Sequence, residues 1–282
     1  MLFAERSLAR RIDCAEASLV SDVAKAAAAR QPGGCHLVLH IDTGVAAVAS
    51  LESPINKMVG IGFDGTIDEL ALAAVEQAHV GLGVSLRAEI ATLVDPSIFT
   101  MFMGRGYRLL GFENVLGLSL NGPAGCNERA TPSGLVITEV GPAGIRDWIG
   151  TVAEGFAHPD TPPGDADTSP ERGDALGEMF EGLAAAAGFT RHVATLNGAT
   201  VGAAGMYVNA GVALLAGAST LPAWRRRGVQ STLLAARLER ARHAGADLAV
   251  MTTEPGSRSQ QNGQRQGFAL LYSRAILVKS VA

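Results

Sequence analysis

Between an apolar run ending at Ser219 and an Ala/Leu-rich segment beginning at Ser231 lies the stretch LPAWRRRGVQS, residues 221–231. Arg225, Arg226 and Arg227 place three cations at the start of a predicted helix, where the dipole is already positive, an arrangement that makes sense around an anion. Gly228 removes a Cβ where a phosphate would approach the backbone. Val229, Gln230 and Ser231 add the N–H groups that a helix start leaves unpaired. The chemistry implied is the cradling of a phosphate. The stretch lacks the Gly-Lys-Ser/Thr of a nucleotide-hydrolysing P-loop, so phosphoryl transfer with Mg²⁺ does not follow.

Two further segments carry chemistry-bearing residue types. Glu254 follows an apolar strand-like run and can serve as a general base, or stand as an exposed loop carboxylate. GIGFDG at residues 60–65 fits the dinucleotide fingerprint G-x-G-x-x-G, with Glu89 near the place of a ribose-binding acid. Asp64, Asp68 and Glu69 crowd that helix start, however, and would repel a pyrophosphate. The motif also follows two strand-like runs instead of opening the fold. There is no His-Glu-x-x-His and no Gly-x-Ser-x-Gly, and the six histidines show no metal-ligand spacing, so no metal is expected.

The basic loop resembles the Arg/Gln-x-x-Gly-x-Gly/Ala signature of the GNAT acyltransferase superfamily, with Arg225 and Gly228 matching and Gln230 where Gly or Ala is usual. PGSRSQQN at 255–262, followed by QRQGF at 264–268, is similar to that family's last helix and its Gly-Phe turn. The likeness covers Leu135–Lys279. The resemblance implies acetyl-CoA as co-substrate, its pyrophosphate on residues 225–231 and one arginine on its 3′-phosphate. Thr220 and Leu221 would lie beside the pantetheine arm, and Asn262 would contact the cofactor. It implies direct attack of a small amine on the thioester, aided by a base, with Glu254 the first candidate and His192 another. Family members often carry a tyrosine acid where this chain has Gly263; Tyr272 and Ser257 are the substitutes, and Tyr272 is equally open to a packed strand role.

The elements that must position these groups fall into two similar series. GRGYRLLGFENVL at 104–116 matches RQGFALLYSRAIL at 265–277, so Gly267 follows Gly106 by 161 residues (267 − 106). Each is preceded by strand, loop, helix, strand and short helix, which reads as a duplicated domain. Strands are expected at His36–Ile41, Val45–Ser50, Lys57–Phe63, Val84–Ile90 and Tyr107–Leu120, and helices at Arg6–Arg30, Thr66–His79 and Pro96–Met103. The acidic, proline-rich His158–Asp174 reads as an excursion whose Asp160, Asp165, Asp167 and Glu171 favour a cationic acceptor. A helix over Ala175–Ala187 follows.

The expected fold class is α/β: two tandem GNAT-like domains, each a mixed, mostly antiparallel central sheet flanked by helices. Residues 1–121 form a degenerate domain without a CoA site, 122–134 a linker and 135–282 the catalytic domain. A hydrophobic fraction of 48% with 18% charged residues supports a well-buried core, and a net charge of −4 gives no reason to expect nucleic acid. Cys14, Cys35 and Cys126 are read as reduced, mostly buried thiols. With no secretory segment and no membrane span, the chain is expected in the cytoplasm, as a monomer or homodimer. Beside the N-acetyltransferase stands a second reading, a non-catalytic acyl-CoA-binding or regulatory module.

Overall fold

The computed structural model describes residues 2–122, 131–158 and 170–281, with side chains in the last segment described from residue 176 onward. The first series runs α1 (Arg6–Arg30), β1 (Leu37–Ile41), β2 (Gly44–Val48), β3 (Lys57–Val59), α2 (Glu69–Leu82), β4 (Leu86–Ala91), α3 (Pro96–Gly104) and β5 (Arg108–Ser119). The second runs β6 (Leu135–Glu139), α4 (Ile145–Ala157), α5 (Pro170–Ala185), β7 (Phe189–Leu196), β8 (Ala199–Asn209), β9 (Val212–Thr220), α6 (Val229–His243), β10 (Leu248–Thr253), α7 (Arg258–Arg265) and β11 (Ala269–Lys279). Local chemistry sets the boundaries. Asp95 accepts from Ser97 N to start α3, with Pro96 behind it, and Ser257 accepts from Gln260 N to start α7. The two matched glycines, Gly106 and Gly267, turn the chain out of these helices at φ 88° and 91°, a region that favours glycine.

All eleven described strands form one sheet, in the order β1-β2-β3-β4-β11-β5-β10-β9-β8-β7-β6. The two series therefore exchange their last strands. β5, from the first, pairs antiparallel with β10 of the second, while β11 pairs antiparallel with β4 of the first. β5 and β11 also pair with each other, Glu113 facing Arg274 at the centre of their ladder.

Helices cover both faces. Along β10, Leu248 and Val250 join the core formed with α1, α4 and α5, while Ala249 and Met251 join the one formed with α6. This two-residue alternation places α6 and α1 on opposite sides of the sheet.

Four sequence expectations change here. The strand expected over Lys57–Phe63 stops at Val59, because Gly60 and Gly62 take φ values of 81° and 82° and leave the ladder. Asp68 is the cap of α2, not part of its first turn: its carboxylate accepts from Leu70 N and Ala71 N. The last residues of the acidic stretch, from Pro170, already belong to α5. Cys14 and Cys35 are free and half-buried, not buried; Cys126 lies outside the described residues.

Candidate active site

β9 and β10 run parallel but pair only over Val212–Leu214 and Leu248–Val250. Beyond Leu214, β9 continues to Thr220 paired with β8, and β10 continues to Thr253 paired with β5. A gap therefore opens between them, lined on one side by an unpaired strand edge. A bulge drives the divergence: Ala203 pairs with Ser219 and Gly205 with Ala216, so Gly217 and Ala218 stand against Ala204 alone. Gly217 sits at φ 56°, and a Cβ there would lie 3.2 Å from the Trp148 ring. Trp148 is fully buried, donates from Nε1 to the Ala204 carbonyl at 2.9 Å and so braces the bulge from α4. At the two lips of the gap, Thr220 Oγ1 and Thr253 Oγ1 are buried and have no hydrogen-bond partner.

The basic loop rises from the β9 side of this gap. Gly228, at φ 82°, is the N-cap of α6 and gives it no side-chain cap; no acidic residue stands in its first turn. The arginines are not equivalent. Arg225 is half-buried and donates to the carbonyls of Thr220 (3.2 Å), Gly155 (3.3 Å) and His158, tying the end of β9 to the end of α4. Arg226 and Arg227 are exposed. Arg226 holds a left-handed φ of 64°, unusual for a residue with a Cβ, and the Arg227 guanidinium stacks 5.0 Å over Trp224. Val229 is buried, Gln230 exposed, and Ser231 Oγ accepts from Gln266 Nε2 at 3.2 Å.

The counterpart loop in the first series is built the other way. Ile61, Phe63 and Ile67 are buried in the core with Val94 and Ile98, where the second loop has exposed Pro222 and arginines. The Asp68 carboxylate takes the helix N–H groups that α6 leaves uncapped. Asp64 pairs with Arg10 at 2.9 Å, and Gly62 N donates to Asp42 at 2.7 Å. The dinucleotide fingerprint thus folds into a self-satisfied turn with an acid at the anion position.

The remaining sequence candidates are dispersed. Glu254 is exposed just beyond β10, and its carbonyl accepts from Ser257 N. Asn262 is half-buried on α7. Gly263 packs on β10: a Cβ there would lie 2.8 Å from Met251 Sδ. Tyr272 is not brought to the gap, since β5 and β10 stand between β11 and β9. Its hydroxyl, on the α1 side, donates to Asp13 Oδ1 at 2.5 Å, and burial together with Asp13 pushes its pKa up. His192 is 4% exposed on β7, and burial, helped by Arg237, depresses its pKa to about 4, so it stays neutral near pH 7. Asp160, Asp165 and Asp167 lie outside the described residues, as does the side chain of Glu171.

Sequence reasoning missed the polar groups that β5 carries. Asn114 pairs with Thr253 across the ladder, and its Nδ2 donates to Gln260 Oε1 on α7 at 3.3 Å. Beside it Glu113 enters a buried ionic cluster. Arg274 reaches Asp13 (2.7 Å), Glu16 (2.5 Å) and Glu113 (2.8 Å), and Lys57 bridges Glu16 and Glu89. Burial raises the Glu16 carboxyl, but Arg274 and Lys57 outweigh it and hold the group near 2. Glu113 goes the other way: burial and the Glu89 charge lift it to about 7 despite Arg274. Three carboxylates here, Glu16, Glu89 and Glu113, are close enough to hold a metal, but Lys57 and Arg274 already supply the cations. The signal for this strand was the repeat itself, which marks β5 but not its partner.

The model of the Acetyltransferase (GNAT) family matches residues 157–268, which span the bulged strands, the gap and the basic loop. No curated protein matches the chain. Among solved structures, the GCN5-related N-acetyltransferase from Kribbella flavida superposes with a TM-score of 0.61 at 18% identity, over 91% of this chain and 95% of that one. A tandem GNAT protein from the clavulanic acid biosynthesis pathway gives 0.60 at 13% identity, over 92% and 88%. The GCN5-related N-acetyltransferase from Sphaerobacter thermophilus gives 0.53 at 16%, over 75% and 67%. At these identities the likeness is one of fold. No described helix is long and apolar enough to cross a membrane.

Proposed function

From the premise that this chain carries a GNAT acetyltransferase domain at residues 157–268 within a tandem GNAT fold, we propose that it moves the acetyl group of acetyl-CoA to a small amine. One acetyl-CoA binds per chain, in the second repeat. The observation that carries this reading is the contrast between two homologous helix starts. The first is capped by Asp68 and filled by Ile61 and Phe63; the second is uncapped, glycine-lined and flanked by exposed Arg226 and Arg227. An anion suits only the second.

The pyrophosphate rests on the N–H groups of Val229, Gln230 and Ser231, with Arg226 and Arg227 toward the phosphates. The pantetheine arm runs through the gap, where the free edge of β9 up to Thr220 and Leu221 offers backbone partners. Arg225 acts from behind, fixing the loop through the carbonyls it binds. Asn262 flanks the cofactor from α7. The amine attacks the thioester carbonyl carbon; a C–N bond forms, the C–S bond breaks and CoA leaves as a thiolate that takes up a proton. Tight placement of both reactants supplies most of the acceleration, and a base removes the amine proton.

A second reading, a non-catalytic acyl-CoA-binding module, draws on Gly263, whose contact with Met251 leaves no room for a tyrosine acid without rearrangement. Isothermal titration together with a thiol-release assay on an amine panel separates the two. Binding of one acetyl-CoA per chain with turnover of at least one amine is expected. Binding without turnover favours the module, and unchanged affinity in Gly228→Val would refute the loop as the cofactor site.

A further inference from the structure

The helix that braces the bulge of β9 also carries an aromatic ring to the opening. The phosphate cradle belongs to α6, across the sheet from the face that α1, α4 and α5 cover. On that second face α4 runs along β9 toward its free end. Trp148 packs on Gly217, and one turn later the Thr151 carbonyl accepts from Ser219 Oγ at 3.0 Å. A further turn on, Gly155 lies so close to Ser219 that a Cβ would collide with it.

The next residue is Phe156. It continues the stripe of Ile145, Ile149 and Val152, whose helical spacing faces the core: Val152 is buried there and the two isoleucines pack against it. Phe156 should be buried in the same way, yet it is 42% exposed. It stands at the level of Ser219, where β9 has already parted from β10. The ring is held at this spot. Its centroid lies 5.2 Å from that of Phe180 at an interplanar angle of 62°, and Phe180 is 6.2 Å from Trp148. Phe180 also comes within 3.7 Å of where a Gly217 Cβ would be, on the bulge that opens the gap. Phe156 is thus the outermost ring of a stack founded on the bulge. The strand edge beside it is made of small, half-buried residues, Ala216, Gly217 and Ala218.

Resting on the reading of the chain as an acetyltransferase, we propose that Phe156 binds the body of the acceptor, and that the acceptor is an arylalkylamine, a primary amine joined to an aromatic ring by a short chain. The substrate ring packs on the exposed side of Phe156 as Phe156 packs on Phe180, and covers apolar surface that the free chain leaves in water. The short chain then carries the amine past the small residues of β9 toward the thioester. A linear polyamine has no ring to stack there, and an amino sugar would press hydroxyls against carbon.

The test uses the full chain, acetyl-CoA and four amines in the thiol-release assay: phenethylamine, n-butylamine, spermidine and glucosamine. Phenethylamine should give the highest kcat/KM. In Phe156→Ala its KM should rise about 5- to 50-fold while its kcat falls less than about threefold, so its preference over n-butylamine shrinks. Acetyl-CoA affinity should stay within about twofold. Phe156→Tyr, which keeps the ring, should keep the preference. A Phe156→Ala enzyme that retains the preference overturns the assignment, as does one that loses all four amines and acetyl-CoA affinity in parallel, the mark of a merely structural role. If Phe156→Ala does not fold, Phe156→Leu, which keeps an apolar contact with Phe180, is held to the same outcomes. A native enzyme that prefers any of the other three amines overturns the proposal and leaves the acetyltransferase reading standing. No turnover of any amine overturns that reading, and this proposal with it.

Discussion

Replacing Arg225 by alanine should separate stability from cofactor binding within one tripeptide. Its guanidinium donates to the carbonyls of Thr220, Gly155 and His158, which lie on β9 and at the end of α4. A hydrogen bond from a charged donor contributes roughly 1.5–3 kcal/mol when well buried. This arginine is half-buried, so the loss should be about 2–4 kcal/mol in total, with the loop released from β9. At about 2–4 °C per kcal/mol for a chain of this size, Tm should drop by roughly 4–16 °C. Arg226→Ala and Arg227→Ala should behave oppositely. Arg226 is exposed and Arg227 loses only its stacking on Trp224, so Tm should move by less than about 3 °C. Each should weaken acetyl-CoA binding about 5- to 50-fold, the loss of one charge-assisted contact to phosphate. Differential scanning calorimetry and titration on the three variants decide the matter. If Arg225→Ala melts within 2 °C of the native chain and loses affinity like its neighbours, the division of labour is refuted.

Two further outcomes follow from buried groups. Trp148→Ala removes the fully buried ring that braces the bulge of β9, and should cost about 3–5 kcal/mol in urea unfolding while also weakening acetyl-CoA binding, since the gap depends on that bulge. His192, held near 4 in the folded chain against an ordinary 6.5, binds a proton more readily when unfolded. Its contribution is fully present above pH 6.5 and is lost as pH falls toward 4, so His192→Leu should flatten the decline in Tm across that window.

The parts of this architecture that the sequence declared are those set by local chemistry. The spacing of Gly106 and Gly267 located the same helix-to-strand turn twice, and both glycines adopt a positive φ that favours glycine. The cationic loop was legible because three arginines before a glycine at a helix start have few structural reasons to exist. What was hidden is what depends on pairing. Nothing in GYRLLGFENVL says that its strand will lie beside β10 instead of β4, because either partner satisfies the same apolar alternation. Hence Glu113 and Asn114 escaped notice, Tyr272 went to the buried cluster with Asp13, and Arg225 looked like its two neighbours until its carbonyl partners were seen.

The pairing of Glu113 with Arg274 has a consequence for how the two repeats could diverge. These residues stand 161 apart (274 − 113), the same spacing as the matched glycines, so they are one position of the ancestral unit meeting itself across a local two-fold axis. In a homodimer of identical copies that position would oppose its own kind, carboxylate to carboxylate or guanidinium to guanidinium, a costly contact in a buried site. Covalent fusion removes the symmetry requirement and lets the axis hold opposite charges. Two first repeats, or two second repeats, are thereby discouraged from assembling through this strand, whereas one of each is favoured. The same salt bridge that closes the sheet acts as a matching rule between its halves.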